Sequence, residues 1–210
     1  MNPFKSYRES YIIKDMVKNS HIRAGRNSYY AGYHHGVHFE DNVLYLDDID
    51  HKKYQPGEID GLIIGNFCSI ASGAKFMLCG TQGHNYNWIA AHPLNGYDSS
   101  THPGHSWKGD TVIGNDVWIG FDSLIMPGVH IADGSVIAAR SVVSRAVGPF
   151  EIWGGNPARF IKKRFNDDEI GQLLQIKWWD WSDEQINRNI GLLRSFDINM
   201  LWRKFISDEL

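Results

Sequence analysis

An aliphatic residue at every sixth position restricts this chain more than any other feature. From Ile113 it recurs at Ile119, Ile125, Ile131, Ile137 and Val143, and upstream at Ile64, Ile70 and Phe76. Four places after each stands a small or branched residue: Val117, Ser123, Val129, Ser135, Ser141 and Val147, with Cys68 and Ala74 upstream. A helix, turning roughly 100° per residue, would scatter these side chains over three faces. Extended chain alternates every two residues, so a step of six points them all one way. Gly, Asn, Asp and Pro supply turn chemistry within each hexad. Short sides joined by tight corners, each with one apolar residue inward, predict a mainly β chain wound as a parallel β-helix. Three hexads close one triangular coil, and coils stack at roughly 4.8 Å.

The step from Phe76 to Ile113 is 37 positions, one more than a multiple of six, so the register breaks and an excursion loop over about 77–112 is expected. It carries His84, His92, His102 and His105 with Trp88 and Trp107, a composition unlike plain disorder, and loops of this length are commonly functional. After Val147 the period ends. Asn166 with Glu169 predicts a capped helix to about Ile176, and Ser182 with Gln185 a second, with Ile186, Ile190 and Leu193 on one face. Trp178-Trp179-Asp180-Trp181 lies between them and is expected to pack the helices on the prism. The chain thus divides into a β-helix domain over 1–165 and a helical extension over 166–210. An irregular coil is expected to begin near Ile22.

Basic and acidic side chains nearly balance, 21 against 24, which gives no electrostatic footprint for nucleic acid. Two cysteines, Cys68 and Cys79, cannot build a disulfide framework, and no apolar run is long enough for a membrane. A soluble cytoplasmic protein is expected. A prism of small apolar hexads holds few reactive groups, so chemistry is expected where the loop meets its surface. His84, in Gln82-Gly83-His84-Asn85-Tyr86, is the leading base, because only imidazole titrates near neutral pH unperturbed. Gly80 and Gly83 allow close approach beside it. Trp118 takes the last, outward slot of its hexad. The outward small residues Gly120, Ala138 and Ala139 form a surface on which a slender ligand lies flat. Arg159, Lys162, Lys163 and Arg164 make a basic cluster just past the last coil.

These hexads resemble those of the hexapeptide-repeat acyltransferases. Gly80-Thr81-Gln82-Gly83-His84 with Tyr86 and Trp88, Ser28-Tyr29-Tyr30-Ala31-Gly32-Tyr33-His34-His35-Gly36, Gly154-Gly155-Asn156-Pro157-Ala158 and Trp178-Trp179-Asp180-Trp181 narrow the likeness. Together they look like the type B chloramphenicol, or xenobiotic, acetyltransferases over most of residues 20 to 182. The resemblance implies a left-handed coil and a homotrimer with active sites between subunits. It implies acetyl transfer from acetyl-CoA to a hydroxyl of a small-molecule antibiotic, with His84 as general base and Trp118 beside it. It places Tyr29 and Tyr30 at the acceptor, and Gly120, Ala138, Ala139, Arg159, Lys162 and Lys163 at CoA. The usual family lysine after Asn-Pro-Ala is Arg159 here. Streptogramin A acetyltransferases share the hexads, the tyrosine pair and a WWDW-like stretch. Some hexapeptide β-helices bind zinc instead, but Pro103 separates His102 from His105, and no metal is expected. A non-catalytic trimeric scaffold is the remaining class, against which the elaborate loop speaks.

Overall fold

The computed structural model describes residues 2–46, 59–78, 87–92 and 108–209. The excursion loop, His84 included, falls largely outside the described residues. After strand β1 (Tyr11–Ile12) and the short helix α1 (Ile13–Met16), the chain winds through four coils of three short strands. The first holds β2 (Ile22–Ala24), β3 (Tyr29–Ala31) and β4 (Val43–Leu44), and the second β5 (Leu62–Ile64), β6 (Ser69–Ala71) and β7 (Lys75–Met77). The third holds β8 (Thr111–Ile113), β9 (Trp118–Ile119) and β10 (Leu124–Ile125), the fourth β11 (His130–Ile131), β12 (Val136–Ile137) and β13 (Val142–Val143). Each strand pairs in parallel with its counterpart one coil away, giving three sheets that form the faces of a prism. The hexads fix this register: Ile64, Ile113 and Ile131 stack on one face, Ile70, Ile119 and Ile137 on the second, and Phe76, Ile125 and Val143 on the third. All nine are at most 3% exposed, so the six-residue step does select the core.

The first coil obeys the same register without its sequence signature. Ala24 stacks on Ile64, Tyr30 on Ile70 and Val43 on Phe76. A large Tyr30 ring on one side and a long detour before Val43 disguise the period, which is why only an irregular coil is legible there.

Turning between faces needs backbone that few residues adopt. Two places before Tyr29, Ser69, Trp118, Val136 and Ile152, φ is positive: Asn27, Phe67, Asp116, Gly134 and Phe150 form one corner column. Gly73, Asp122 and Arg140 form a second. Beside the first column runs a hydrogen-bond ladder. The N–H of Arg26 donates to Asn66 Oδ1 at 3.0 Å, that of Asn66 to Asn115 Oδ1 at 2.7 Å, and that of Asn115 to Asp133 Oδ1 at 2.7 Å. Each carboxamide or carboxylate lies where a Cβ on the preceding coil would stand. A Cβ on Gly65 would come 2.6 Å from Asn115 Oδ1, and one on Gly114 2.6 Å from Asp133 Oδ1. The Gly-Asn pairs at 65–66 and 114–115 are therefore one device, in which glycine clears the space that the next coil's polar side chain fills.

The prism ends in a hairpin of β14 (Glu151–Gly155) and β15 (Ala158–Lys163), β15 antiparallel at the edge of a seven-stranded sheet. Helices α2 (Asp167–Ile176), α3 (Asp183–Leu193) and α4 (Ile198–Ile206) follow. Asn166–Glu169 and Ser182–Gln185 form the two expected capping boxes; α4, which opens at Asp197 without one, is an addition to the sequence-based expectation. Of the three residues expected on one face of α3, Ile190 is exposed while Ile186 and Leu193 pack. The tryptophan run lands on the corner column. Trp178 meets Phe67 at 4.9 Å between ring centroids, and Trp179, 1% exposed, packs against Phe150. Arg26 lies over Phe67 and reaches the carbonyls of Trp179 and Trp181, while Arg164 bonds Asp116 Oδ2 at 3.3 Å.

Substitutions at these points carry definite expectations. Gly65→Ala drives a Cβ into backbone and should lower unfolding stability by about 1–3 kcal/mol. Cys68→Ser should stay within about 1 kcal/mol of the parent, because Ser28, one coil away, already bonds the Gly65 carbonyl in the way a serine there would bond Gly114. Denaturant melts of the two variants distinguish the positions. Burial raises the Asp116 carboxyl from its ordinary 3.8 to about 6 despite the pull of Arg164. The folded state holds that proton more tightly, so the group's stabilising contribution is full below about 3.8 and is lost as pH rises through about 6. Asp116→Asn should flatten this pH dependence, a change of at most roughly 3 kcal/mol between the two ends of the range. Urea unfolding at pH 4, 5.5 and 7 checks it.

Candidate active site

The sheet formed by β3, β6, β9, β12, β14 and β15 carries two parallel rows of side chains on its outer surface. One runs Tyr29, Ser69, Trp118, Val136, Ile152, Lys162, and the other Ala31, Ala71, Gly120, Ala138, Gly154, Arg159, as successive register partners. Residues in direct register share a face. Six of the residues expected from sequence thereby fall on one strip: Tyr29, Trp118, Gly120, Ala138, Arg159 and Lys162. Trp118 is 56% exposed and Tyr29 37%, so both offer ring faces to solvent. Two steps of roughly 4.8 Å separate Tyr29 from Trp118, and three separate Trp118 from Lys162. An aromatic end and a cationic end are joined by a floor of small residues.

The cations differ in availability. The register of β14 and β15 shifts between Ile152 and Trp153, so Arg159 and Lys162, three residues apart, both share the outer face. Lys163 instead stands opposite Glu151 and its ammonium is held by Asp167. Arg164 is turned to Asp116 and the Gly134 carbonyl, at the corner beneath the helices. Arg159 and Lys162 are exposed, and the Arg159 guanidinium also donates to the neighbouring Ala158 carbonyl at 3.0 Å.

Other expectations need revision. Tyr30 was expected at the acceptor beside Tyr29, but alternation along β3 turns it inward and it is fully buried. Its hydroxyl accepts from Asn42 Nδ2 at 3.0 Å, and burial raises its pKa. Gly120 owes its lack of a side chain to packing, since a Cβ would lie 2.6 Å from the backbone nitrogen of Ala139. Ala139 stands one residue past the row, exposed at the corner.

Sequence reasoning gave no role to a polar cluster at that corner. His35 Nε2 meets Asp122 Oδ1 at 2.9 Å and His35 Nδ1 meets Ser72 Oγ at 2.9 Å, an order of groups like that of a nucleophile, base and orienting acid. Ser72 is 2% exposed and also accepts from the N–H of His35, so it is a corner clasp without access to substrate. Phe121, between Gly120 and Asp122, packs on both His34 and His35. The Tyr33-His34-His35-Gly36 run was the signal available, but only the fold brings it beside Asp122. Among the described residues, no group of three or more His, Cys, Asp or Glu side chains converges for a metal; His84, His102 and His105 are not among them.

The bacterial transferase hexapeptide family (six repeats) matches residues 110–145. Similarity to curated proteins extends much further. The chain is 44% identical to a chloramphenicol acetyltransferase of Escherichia coli, covering 97% of each. It is 42% identical to another from Agrobacterium fabrum, covering all of this chain and 99% of that one. A virginiamycin A acetyltransferase of Staphylococcus aureus is 41% identical, over 96% of this chain and 90% of its own length. By its hexads, its parallel β-helix and its likeness over nearly the full length, the chain belongs to the xenobiotic acetyltransferase family of hexapeptide-repeat acyltransferases.

Proposed function

We propose that the protein transfers the acetyl group of acetyl-CoA to a hydroxyl of chloramphenicol. The near full-length identity to chloramphenicol acetyltransferases carries this reading. The geometry agrees with it, because one sheet face joins exposed aromatic rings, a floor of small residues and two cations in line. In this reading the CoA phosphates meet Arg159 and Lys162, and the pantetheine arm crosses Ala138 and Gly120, with Ala139 at its edge. The thioester arrives near Trp118. Lys163, paired with Asp167, contributes less.

His84, supplied by the excursion loop, takes the proton of the acceptor hydroxyl as its oxygen attacks the thioester carbonyl. The C–S bond breaks from the tetrahedral adduct, and the imidazolium returns the proton to the leaving thiolate, with no acyl-enzyme. A positioned base contributes roughly 10²–10⁴ in rate, and holding donor and acceptor together several kcal/mol more. Tyr29 contacts the acceptor at the far end of the row. The protein works as a cytoplasmic homotrimer whose active sites lie between subunits. In support, the sheet of β4, β7, β10 and β13 turns Leu44, Met77, Leu124 and Val142 away from the core, apolar side chains of the kind a neighbouring copy covers.

Chloramphenicol-dependent release of free CoA thiol tests the reading, with virginiamycin A as the second acceptor. Faster turnover of chloramphenicol is expected; turnover of virginiamycin A alone replaces the acceptor, and thiol release with neither defeats the assignment. His84→Ala should remain folded and lose roughly 10²-fold or more in kcat. Lys162→Ala should raise the KM for acetyl-CoA roughly two- to fivefold, as an exposed charge pair predicts, and Lys163→Ala should raise it less. Equal effects of the two lysines contradict the placement of the phosphates.

A further inference from the structure

The extra residue that shifts the register of the closing hairpin is Ile161. Trp153 pairs with Phe160 and Ile152 with Lys162, which leaves Ile161 with no residue opposite. A bulge re-aims a side chain, and this one does so toward the strip. Although Ile161 is 57% exposed, a Cβ on Gly154 would stand only 2.9 Å from its Cδ1. The same point is 3.1 Å from the Ala138 Cβ, so the isoleucine methyl lies across the row of small residues at its last step. Arg159 and Lys162 flank it in sequence. The open floor therefore runs from Gly120 to Ala138 and is closed by an apolar side chain where the cations begin.

Resting on the function proposed above, we infer that Ile161 is the end-stop that sets how far the donor can slide along the strip. A donor with a thioester at one end and phosphates at the other has two kinds of surface. Its slender arm fits a floor without side chains, and its phosphates do not. From Gly120 to Ala138 the open floor spans one strand step, about 4.8 Å. An arm lying there abuts Ile161 and must leave the sheet toward Arg159 and Lys162. The stop thereby fixes the height at which the acyl carbon sits beside Trp118. Phosphate contacts hold the donor whether or not the stop is present, so Ile161 acts on the alignment of the reacting atoms and not on affinity.

Ile161→Ala and Ile161→Leu test this, both at an exposed edge position where folding is checked by thermal melting. Measured are kcat with acetyl-CoA and with propionyl-CoA, and the Kd of CoA by titration calorimetry. Without the stop the arm recedes toward the phosphates. Ile161→Ala should then lose roughly tenfold in kcat with acetyl-CoA, since misplacement of about 1 Å has effects of this size or larger. It should keep the Kd of CoA within about threefold, and the longer propionyl group should gain relative to acetyl. Ile161→Leu should restore both kcat and the acyl preference. Parental kcat and preference in Ile161→Ala overturn the inference, and so does a weaker Kd with unchanged kcat, which makes Ile161 an affinity contact. Failure of the parent protein to bind CoA is a different result, which removes the functional reading itself.

Discussion

At one edge of the prism every coil passes through the left-handed region, at Asn27, Phe67, Asp116, Gly134 and Phe150, and most of the molecule is organised by that column. A single residue with positive φ lets the chain swing from one face to the next while keeping the six-residue count, so the inward aliphatics stay in line. Glycine and short polar residues tolerate the conformation, whereas a bulky ring there is uncommon and costs on the order of 1–3 kcal/mol. The two phenylalanines offset that cost through their partners. Phe67 packs on Trp178 and under Arg26, and Phe150 packs on Phe165 and Trp179. The strained corner is thus also the seat of the helical extension, and coil winding and helix docking share Phe67 and Phe150.

The hexads made most of the prism legible, because a period of six in extended chain leaves one apolar residue per side and no freedom in register. The capped helices were legible for an equally local reason, the side-chain bonds at Asn166 and Ser182. What escaped was non-local. The first coil is hidden because Tyr30 replaces an aliphatic and the chain wanders between Ala31 and Val43. The closing hairpin reads as an aperiodic run, and its bulge is visible only in the pairing of β14 with β15. Helix α4 lacks the capping box that announced the others.

Site residues divide along the same line. Trp118, Gly120 and Ala138 could be placed outward by counting within hexads. Tyr29 and Tyr30 are adjacent in a coil without a visible period, so counting could not say which faced the core, and alternation along β3 assigns them opposite surroundings. The cations could be recognised as a cluster but not sorted, since a three-residue spacing in a regular strand separates Arg159 from Lys162. The bulge reunites them, and Asp167 withdraws Lys163. The Ser72–His35–Asp122 clasp shows the opposite hazard: groups in a suggestive order, with the hydroxyl sealed inside a corner.

Because β3, β6, β9 and β12 of the outer face come from successive coils and the closing hairpin continues their spacing, distance along that face comes only in whole increments. Ile113 and Ile131 are a full coil apart in sequence yet directly paired in space, so lengthening the prism means adding a full turn of chain. Such an addition between the tryptophan level and the hairpin would move the aromatic and cationic ends apart by one strand spacing, about 4.8 Å. No smaller adjustment is open to the backbone. A ligand gripped at both ends is therefore matched to a scale with coarse graduations, and fine adjustment falls to the individual side chains that stand on it.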